Sequence, residues 1–468
     1  MATFREKVGY GFGDMASSMF WKIFSAYLPF FYTNVFGLPL ELAGVLFLVT
    51  KMWDAVSDPM MGVLADRTRS RWGKYRPWLL FMSLPFALCG VLLFTTPDLG
   101  ETGKAVWAFV TYILMMTIYT GINVPYGSLL GVMTEDSTEK TIFSSYRMFF
   151  AYIGSFIVLW AWEPMVRFFN NYIGASSAYP GEPRAWQYAM IVVAAVCLIL
   201  FLLTFLLTKE HVKTTPKAGV SKDLGSLLKN APWWILLGAI LFFNLMNAAR
   251  YTTIPYYFSS VIGSDVSLQV FGFALAFTSS IFFLIGEFAN LPGVALATPL
   301  TEHFGKKSVF AASLLMLIPL NVAFYFVPNT SGGYYAMLVL QVLVCVLTGI
   351  LSPLAWSMYA DISDYAEHRF HTASTGLIFS SSSMAQKFGG AFGSSIVMWL
   401  LALVGYNTAE NSVQTPEALQ GLRILMSWLP AAISIISLLF IVAYPLTTKR
   451  MKAINTALRQ QREADGEV

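Results

Sequence analysis

The sequence predicts an all-α membrane protein, with twelve transmembrane helices grouped as two six-helix bundles. Three observations carry that expectation. Of 468 residues, 56% are hydrophobic and 12% charged, with mean hydropathy +0.60, too little charge to cover a soluble surface of this size. Apolar segments long enough to cross a hydrocarbon core of about 30 Å, which takes roughly 20 residues, recur along the whole chain. A polar stretch at 209–232 divides them six and six.

In order, the expected spans are 9–34, 40–63, 77–96, 105–131, 144–168 and 187–208, then 233–262, 268–298, 307–327, 333–360, 374–404 and 423–446. Met1 to Val8 is short and polar, and no small-residue cleavage site follows, so the first span reads as a retained helix. The even count puts both termini on one side. Arg67, Arg69, Arg71, Lys74 and Arg76 crowd the loop after the second span, and Lys209, Lys213, Lys217, Lys222 and Lys229 fill the middle connection. Lys306, Lys307, Lys449, Arg450 and Lys452 continue the series, whereas the opposite loops hold chiefly Lys104, Arg184 and Arg423. Cytoplasmic loops carry the excess of Lys and Arg, so both termini are expected in the cytoplasm.

The halves echo each other. Gly62-Val-Leu-Ala-Asp66-Arg67 runs into a basic loop after the second span, and Pro299-Leu-Thr-Glu302-His303-Phe-Gly305-Lys306-Lys307 stands at the matching place in the second half. The expected organisation is an N-terminal bundle at 1–208, a middle loop at 209–232, a C-terminal bundle at 233–448 and a tail at 449–468. Two such halves with a site between them at the midplane is a transporter plan.

Charge inside a bilayer is costly, so each intramembrane ionisable residue is a functional candidate. Asp54 and Asp58, in Trp53-Asp54-Ala55-Val56-Ser57-Asp58-Pro59, lie one turn apart on one helix face. Two carboxylates so close require a counter-charge: a bound Na⁺, a proton, or a cationic side chain, with a static bridge to Lys51 as the plain alternative. Hard oxygen ligands suit a hard cation. On the fourth span Thr117, Thr120, Asn123 and Tyr126 drift around one face, as cation or substrate ligands or as ordinary interhelical hydrogen bonds. Asp14, Ser18 and Lys22 form a polar line over two turns of the first span, and Lys387 is in mid-span. Arg147 stands either inside the bundle or at the interface. Arg250 and Glu287 are expected to pair. Asp361 and Asp364, at the end of the tenth span, and Arg67, at the end of the second, are candidates for gating. Tyr119, Tyr126, Trp356 and Phe379 are candidates for stacking on a sugar.

Catalytic residues are not expected. Glu367-His368-Arg-Phe-His371 has the wrong spacing for a zinc helix, and there is no phosphate-binding GxxxxGK[ST] motif for direct ATP drive. Asn329-Thr330-Ser331 is a chance-level glycosylation match. Cys89, Cys197 and Cys345 sit in apolar runs and offer no disulfide framework.

These residues resemble the glycoside–pentoside–hexuronide:cation symporters, the melibiose permease relatives within the major facilitator superfamily. The matching pieces are Gly9-Tyr10-Gly11-Phe12-Gly13-Asp14, Trp53 to Pro59, Asp66 to Pro77, Asn123-Val124-Pro125-Tyr126 and Ala360-Asp361-Ile-Ser-Asp364-Tyr365, in the family's order from about residue 8 to 450. The resemblance implies the major facilitator fold and alternating access. It implies cation binding at Asp54, Ser57, Asp58 and Thr120, with Na⁺ at Asp54 and Asp58 and Lys51 balancing their charge. It implies that Asn123, Arg147 and Lys387 bind sugar or couple it to the cation. Melibiose permease has sugar-binding aspartates where this chain has Ser18 and Asn123, and an asparagine where it has Ser57, so its galactoside contacts do not transfer. Asp14 with Asn123-Val-Pro-Tyr looks more like the xyloside and glucuronide carriers.

The expected function is therefore secondary active symport of a glycoside, pentoside or hexuronide with Na⁺, H⁺ or Li⁺, in a bacterial inner membrane. Asp14, Ser18, Lys22, Asn123, Tyr126, Arg147 and Lys387 are expected around the substrate. No cofactor and no nucleic acid is expected; the partners are a small sugar, a monovalent cation and the lipid bilayer, and the protein a monomer. A cation-coupled lysolipid carrier and a sugar-binding sensor are the alternatives.

Overall fold

The computed structural model describes residues 3–134, 137–175, 181–211, 228–263, 266–270, 273–370, 375–409 and 413–464. The middle-loop lysines Lys213, Lys217 and Lys222, as well as His371, lie outside these residues, as do the side chains of Pro59, Asp66 and Phe379.

The chain forms α1 (Phe4–Ala26, prolonged by Leu28–Phe30 and a π-helical turn Phe31–Val35), α2 (Leu40–Arg67), α3 (Arg76–Leu93), α4 (Glu101–Met133), α5 (Ser137–Tyr172) and α6 (Pro183–Leu207). The second half forms α7 (Ala231–Tyr257, prolonged by Phe258–Ile262), a hairpin β1 (Ser267–Val270) and β2 (Phe273–Ala276), α8 (Ser279–Phe304), α9 (Lys306–Phe326), α10 (Ser331–Phe370) and α11 (Thr375–Leu403). The twelfth span, α12, is Pro416–Met426 and Trp428–Ala443, broken at Ser427, and an amphipathic helix α13 (Thr448–Ala464) ends the chain.

One expected boundary needs correction. The eighth span was placed from residue 268, but residues 267–276 form the hairpin, with Val270 opposite Phe273. The helix starts only where the Thr278 hydroxyl accepts from Ile281 N–H. The polar tail proved helical, its Met451, Ile454 and Leu458 buried on one face, with α13 packed on α10.

Among the described residues, nine helices are long and apolar enough to cross a membrane. The three that fall short are α1, α2 and α11. They carry Asp14 and Lys22; Lys51, Asp54 and Asp58; and Gln386 and Lys387. The polar cargo that lowers their hydropathy is the material of the site.

Packing follows the two halves. In the first, α1 packs on α5 and α6, α3 on α4 and α6, and α2 on α4; in the second, α7 packs on α11 and α12, α8 on α10, and α9 on α10 and α12. The halves meet through α2 with α11, α5 with α8 and α1 with α7. The glycine motif of α1 has a steric cause. A Cβ on Gly9 would stand 2.4 Å from Leu207, on Gly11 2.3 Å from Phe150 and on Gly13 2.4 Å from the Tyr126 ring, so α1 approaches α4, α5 and α6 only without side chains there.

The echoed loops are built alike. Gly73 has φ 112°, and the Glu210 carboxylate, just past α6, accepts from the N–H groups of Lys74, Tyr75 and Arg76 at 2.8, 2.7 and 3.0 Å. This carboxylate neutralises the positive end of α3. Gly305 has φ 83°, and a Cβ there would meet Thr448, just past α12, at 2.3 Å. In each half the loop after the second helix is held by the segment that follows the sixth.

Candidate functional site

Between the halves lies a cavity of about 690 Å³, lined from α1, α2, α4 and α5 on one side and α7, α8, α10 and α11 on the other. Its walls are polar: Asp14, Ser18, Lys22, Lys51, Asn123, Arg147 and Lys387 all reach it, with Trp21 and Tyr119 among the aromatic surfaces.

On α2, Asp54 is 1% exposed and Asp58 half-buried. Lys51 Nζ lies 3.3 Å from Asp54 Oδ2 and stacks over the Trp21 ring. Lys387 crosses from α11, pairs with Asp58 Oδ2 and stands 4.0 Å from Asp54 Oδ2. The Thr120 hydroxyl donates to Asp58 Oδ1 at 2.9 Å, and Ser57 Oγ donates to the Asp54 carbonyl at 3.3 Å. Asp54 Oδ1 is buried without a hydrogen-bond partner. The two carboxylates and the Thr120 hydroxyl thus gather around the Lys387 ammonium, which neutralises Asp58, and one Asp54 oxygen is unsatisfied, while the Ser57 hydroxyl is bonded to its own helix backbone. An ammonium and a small monovalent cation present the same charge, so Lys387 and a bound ion exclude one another here.

The substrate-facing candidates separate into two groups. Arg147 pairs with Asp14, Nη2 donating to Oδ1 at 3.2 Å and Nε standing 3.1 Å from Oδ2 as an ion-pair contact, and it stands over the Tyr126 ring. Its place inside the bundle settles the question the sequence left open. Tyr126 itself does not line the cavity. It is buried against Gly13, stacks on Tyr10 at 4.7 Å and donates to the Tyr10 carbonyl at 2.6 Å, a packing platform beneath Arg147. Ser18 and Asn123 line the cavity. Asn123 Oδ1 accepts from Ser17 at 2.8 Å, a residue the sequence reading passed over. Trp356 is exposed, away from the cavity.

Lys22 crosses from α1 to pair with Glu287 on α8, whose Oε1 also accepts from the Tyr251 hydroxyl at 2.7 Å. The expected Arg250–Glu287 pair therefore does not form. Arg250 turns instead toward α9 and α10, donating to Asn321 Oδ1 and, at 2.8 Å, to Gln341 Oε1. The cause is reach: Lys22 enters from the facing half, where Glu287 points, while Arg250 sits against the amides of its own half.

The gating candidates are peripheral. Arg67 is exposed at the end of α2, and Asp361 accepts from Lys306 at 2.7 Å within the second half. Asp364 is half-buried on α10, one turn further on. Apart from the Lys22–Glu287 and Lys387–Asp58 pairs, the bonds found between the halves among the described residues run along the end remote from the termini. The Tyr27 and Ser280 hydroxyls meet at 2.8 Å, Tyr256 donates to the Pro29 carbonyl at 2.9 Å, Asn34 to Tyr406 at 3.2 Å, and Ser395 to the Gly44 carbonyl at 2.8 Å. Glu163, 2% exposed on α5, accepts from the Ser279 hydroxyl and from Ser280 N–H at 3.1 Å, capping α8 from the other half. A lone carboxylate in the apolar run before Pro164 was the available sequence signal.

A cavity at the contact surface of two six-helix groups, lined by paired charges and closed at one end, defines a major facilitator carrier. The match is direct: residues 9–448 fit the model of the MFS/sugar transport protein family, and the chain belongs to that family. The expected kinship with the glycoside–pentoside–hexuronide:cation symporters is borne out. The chain is 35% identical to the inner membrane symporter YicJ of Escherichia coli, over 97% of this chain and 95% of that one. It is 33% identical to the putative glycoside/cation symporter YagG of the same organism, over 99% and 97%. It is 29% identical to the isoprimeverose transporter of Lactiplantibacillus pentosus, over 94% and 89%. In fold it resembles a crystal structure of a D-xylose–proton symporter, with TM-score 0.61 at 15% identity, covering 96% of this chain and 99% of that one.

Proposed function

We propose that the protein is a cation:glycoside symporter of the bacterial inner membrane, working by alternating access as a transporter and not as an enzyme. The observation that carries the reading is the meeting of Asp54 and Asp58 with Lys387 across the cavity. There the unsatisfied Asp54 oxygen and the oxygens of Ser57, Asp58 and Thr120 offer a hard cation a place that Lys387 otherwise fills. Na⁺ is the proposed coupling ion, with H⁺ and Li⁺ as alternatives. Cation entry releases Lys387 into the cavity, where its ammonium donates to sugar oxygens beside Asp14, Arg147 and Asn123.

The moving bodies are the segments 1–208 and 233–448, joined by 209–232, with 449–468 as the tail. The basic loops favour both termini in the cytoplasm; on that orientation the bonded end faces outward and the cavity inward. The polar cavity walls favour a glycoside over a lysolipid, whose tail requires an apolar trough. The carrier is proposed to act as a monomer.

The test is Asp58→Asn in proteoliposomes. Accumulation of a radiolabelled glycoside against its gradient, driven by a cation gradient, should be lost. If it persists undiminished, the cation site is not here.

A further inference from the structure

Five basic side chains line the cavity, and four of them have a carboxylate partner: Lys22 with Glu287, Lys51 with Asp54, Arg147 with Asp14 and Lys387 with Asp58. Arg250 is the exception among the described residues. It is 4% exposed, its two terminal nitrogens donate to the amide oxygens of Asn321 and Gln341, and its plane lies against the Phe324 ring, 4.8 Å from the centroid. Amide oxygens orient a guanidinium without neutralising it. Five positive charges against four negative leave one net positive charge in a polar cavity enclosed within an apolar helix bundle. A charge held there without a partner is costly, and its retention points to a ligand that completes the pair.

We infer that Arg250 is the counter-charge for a carboxylate on the transported sugar, so that the substrate is an acidic glycoside. The inference rests on the symport reading above and narrows its substrate class. A guanidinium fixed by two amides on α9 and α10 is oriented before the ligand arrives, so little side-chain freedom is lost on binding. The same wall supplies acceptors for hydroxyl groups. Asn244 and Asn247 on α7 each commit an N–H to their own helix, at 2.8 and 3.2 Å, and both line the cavity.

The charge count also links the two ligands. A cation entering at Asp54 and Asp58 raises the cavity's net charge from one to two, and a carboxylate returns it to one. Each ligand therefore favours the other through electrostatics, and the effect is reciprocal.

The experiment is binding of matched sugar pairs to the purified full-length protein by isothermal titration, with and without Na⁺. The probes are methyl β-D-glucuronide against methyl β-D-glucoside, and the corresponding galacturonide against galactoside. The acid member should bind roughly tenfold or more tightly, as a charge-assisted hydrogen bond would provide, and Na⁺ should raise its affinity more than that of the neutral member. Arg250→Met should bring the acid-to-neutral ratio to about one, and Arg250→Lys should keep the acid favoured. Neutral members binding as well as acids in the unaltered protein would overturn the inference and leave glycoside symport standing. No binding by any member would overturn both. A ratio unchanged in Arg250→Met would remove Arg250 from the role. Should that variant fail to fold, the ratios of the unaltered protein and of Arg250→Lys decide.

Discussion

Replacing Glu163 by glutamine should open the far end of the carrier. The carboxylate is buried between the halves and accepts from the Ser279 hydroxyl and the Ser280 N–H, so α5 caps the N-terminus of α8 across the interface. Hydrogen bonds to a charged acceptor contribute about 1.5–3 kcal/mol and neutral ones about 0.5–1.5. A glutamine keeps an oxygen in place but gives up the charge at two bonds, so the closed end should lose roughly 2 kcal/mol. At about 1.4 kcal/mol per tenfold, that shifts the equilibrium between the two facings by roughly thirtyfold. Glu163→Ala should shift it further, because two donors are then left without an acceptor. Spin labels at Asp98 and Ala409, exposed on opposite halves at that end, would report the two populations as a short and a long distance. An unchanged distribution in both variants would refute the assignment of Glu163 as a latch.

Further expectations follow from the same geometry. Asp54→Asn strands the buried Lys51 beside Trp21 and should cost about 3 kcal/mol of stability. The double variant with Lys51→Met should recover part of that loss in thermal denaturation. Gly13→Ala drives a methyl group into the Tyr126 ring; overpacking of about 1–3 kcal/mol should lower both melting temperature and glycoside affinity, since Tyr126 supports Arg147. Glu6, near the start of α1, loses solvation on burial. The Thr3 N–H and hydroxyl and the His211 ring offset this and hold its carboxyl below the ordinary glutamate range. A depressed carboxyl stabilises the fold above its unfolded value and loses that effect as pH falls through its folded value. The melting difference between the unaltered protein and Glu6→Gln should therefore be full at pH 7 and vanish only below about pH 4.

The fold was legible because hydropathy and the spacing of polar loops act over whole helices, and each of the twelve expected segments contains a helix. The proposed cation residues stood out because a carboxylate in an apolar run has few benign explanations, and Asp54 and Asp58 have their spacing written in the helix itself. What escaped were contacts set by the facing half. Nothing in the sequence around Glu287 says that its partner is Lys22, 265 residues away, and not Arg250. Tyr126 carries the right spacing for the cavity but is turned by the close approach that Gly13 permits. The neutral amides Asn244, Asn247, Asn321 and Gln341 raise no alarm in an apolar span, because their cost is modest and ordinary helix–helix hydrogen bonds account for them.

A symporter must let the empty carrier and the doubly loaded carrier turn over while holding back the carrier loaded with cation alone. The charge pairs suggest how. Empty, the cavity spans its halves with Lys387 on Asp58 and Lys22 on Glu287, so the carboxylates facing across the interface are neutralised. On the proposed reading, a cation alone would take over the aspartates and set the Lys387 ammonium loose in a cavity that already holds Arg250. The excess positive charge keeps that state hydrated and open to one side. A carboxylated substrate that engages Lys387 and Arg250 would return the net charge to that of the empty carrier and permit closure. On this argument the coupling needs no mechanical link between the sites, only one ammonium that the cation and the sugar compete to define. Cation efflux from loaded proteoliposomes should then be slow without glycoside and rise steeply with it, and equal rates under both conditions would show that the cation-only carrier turns over freely.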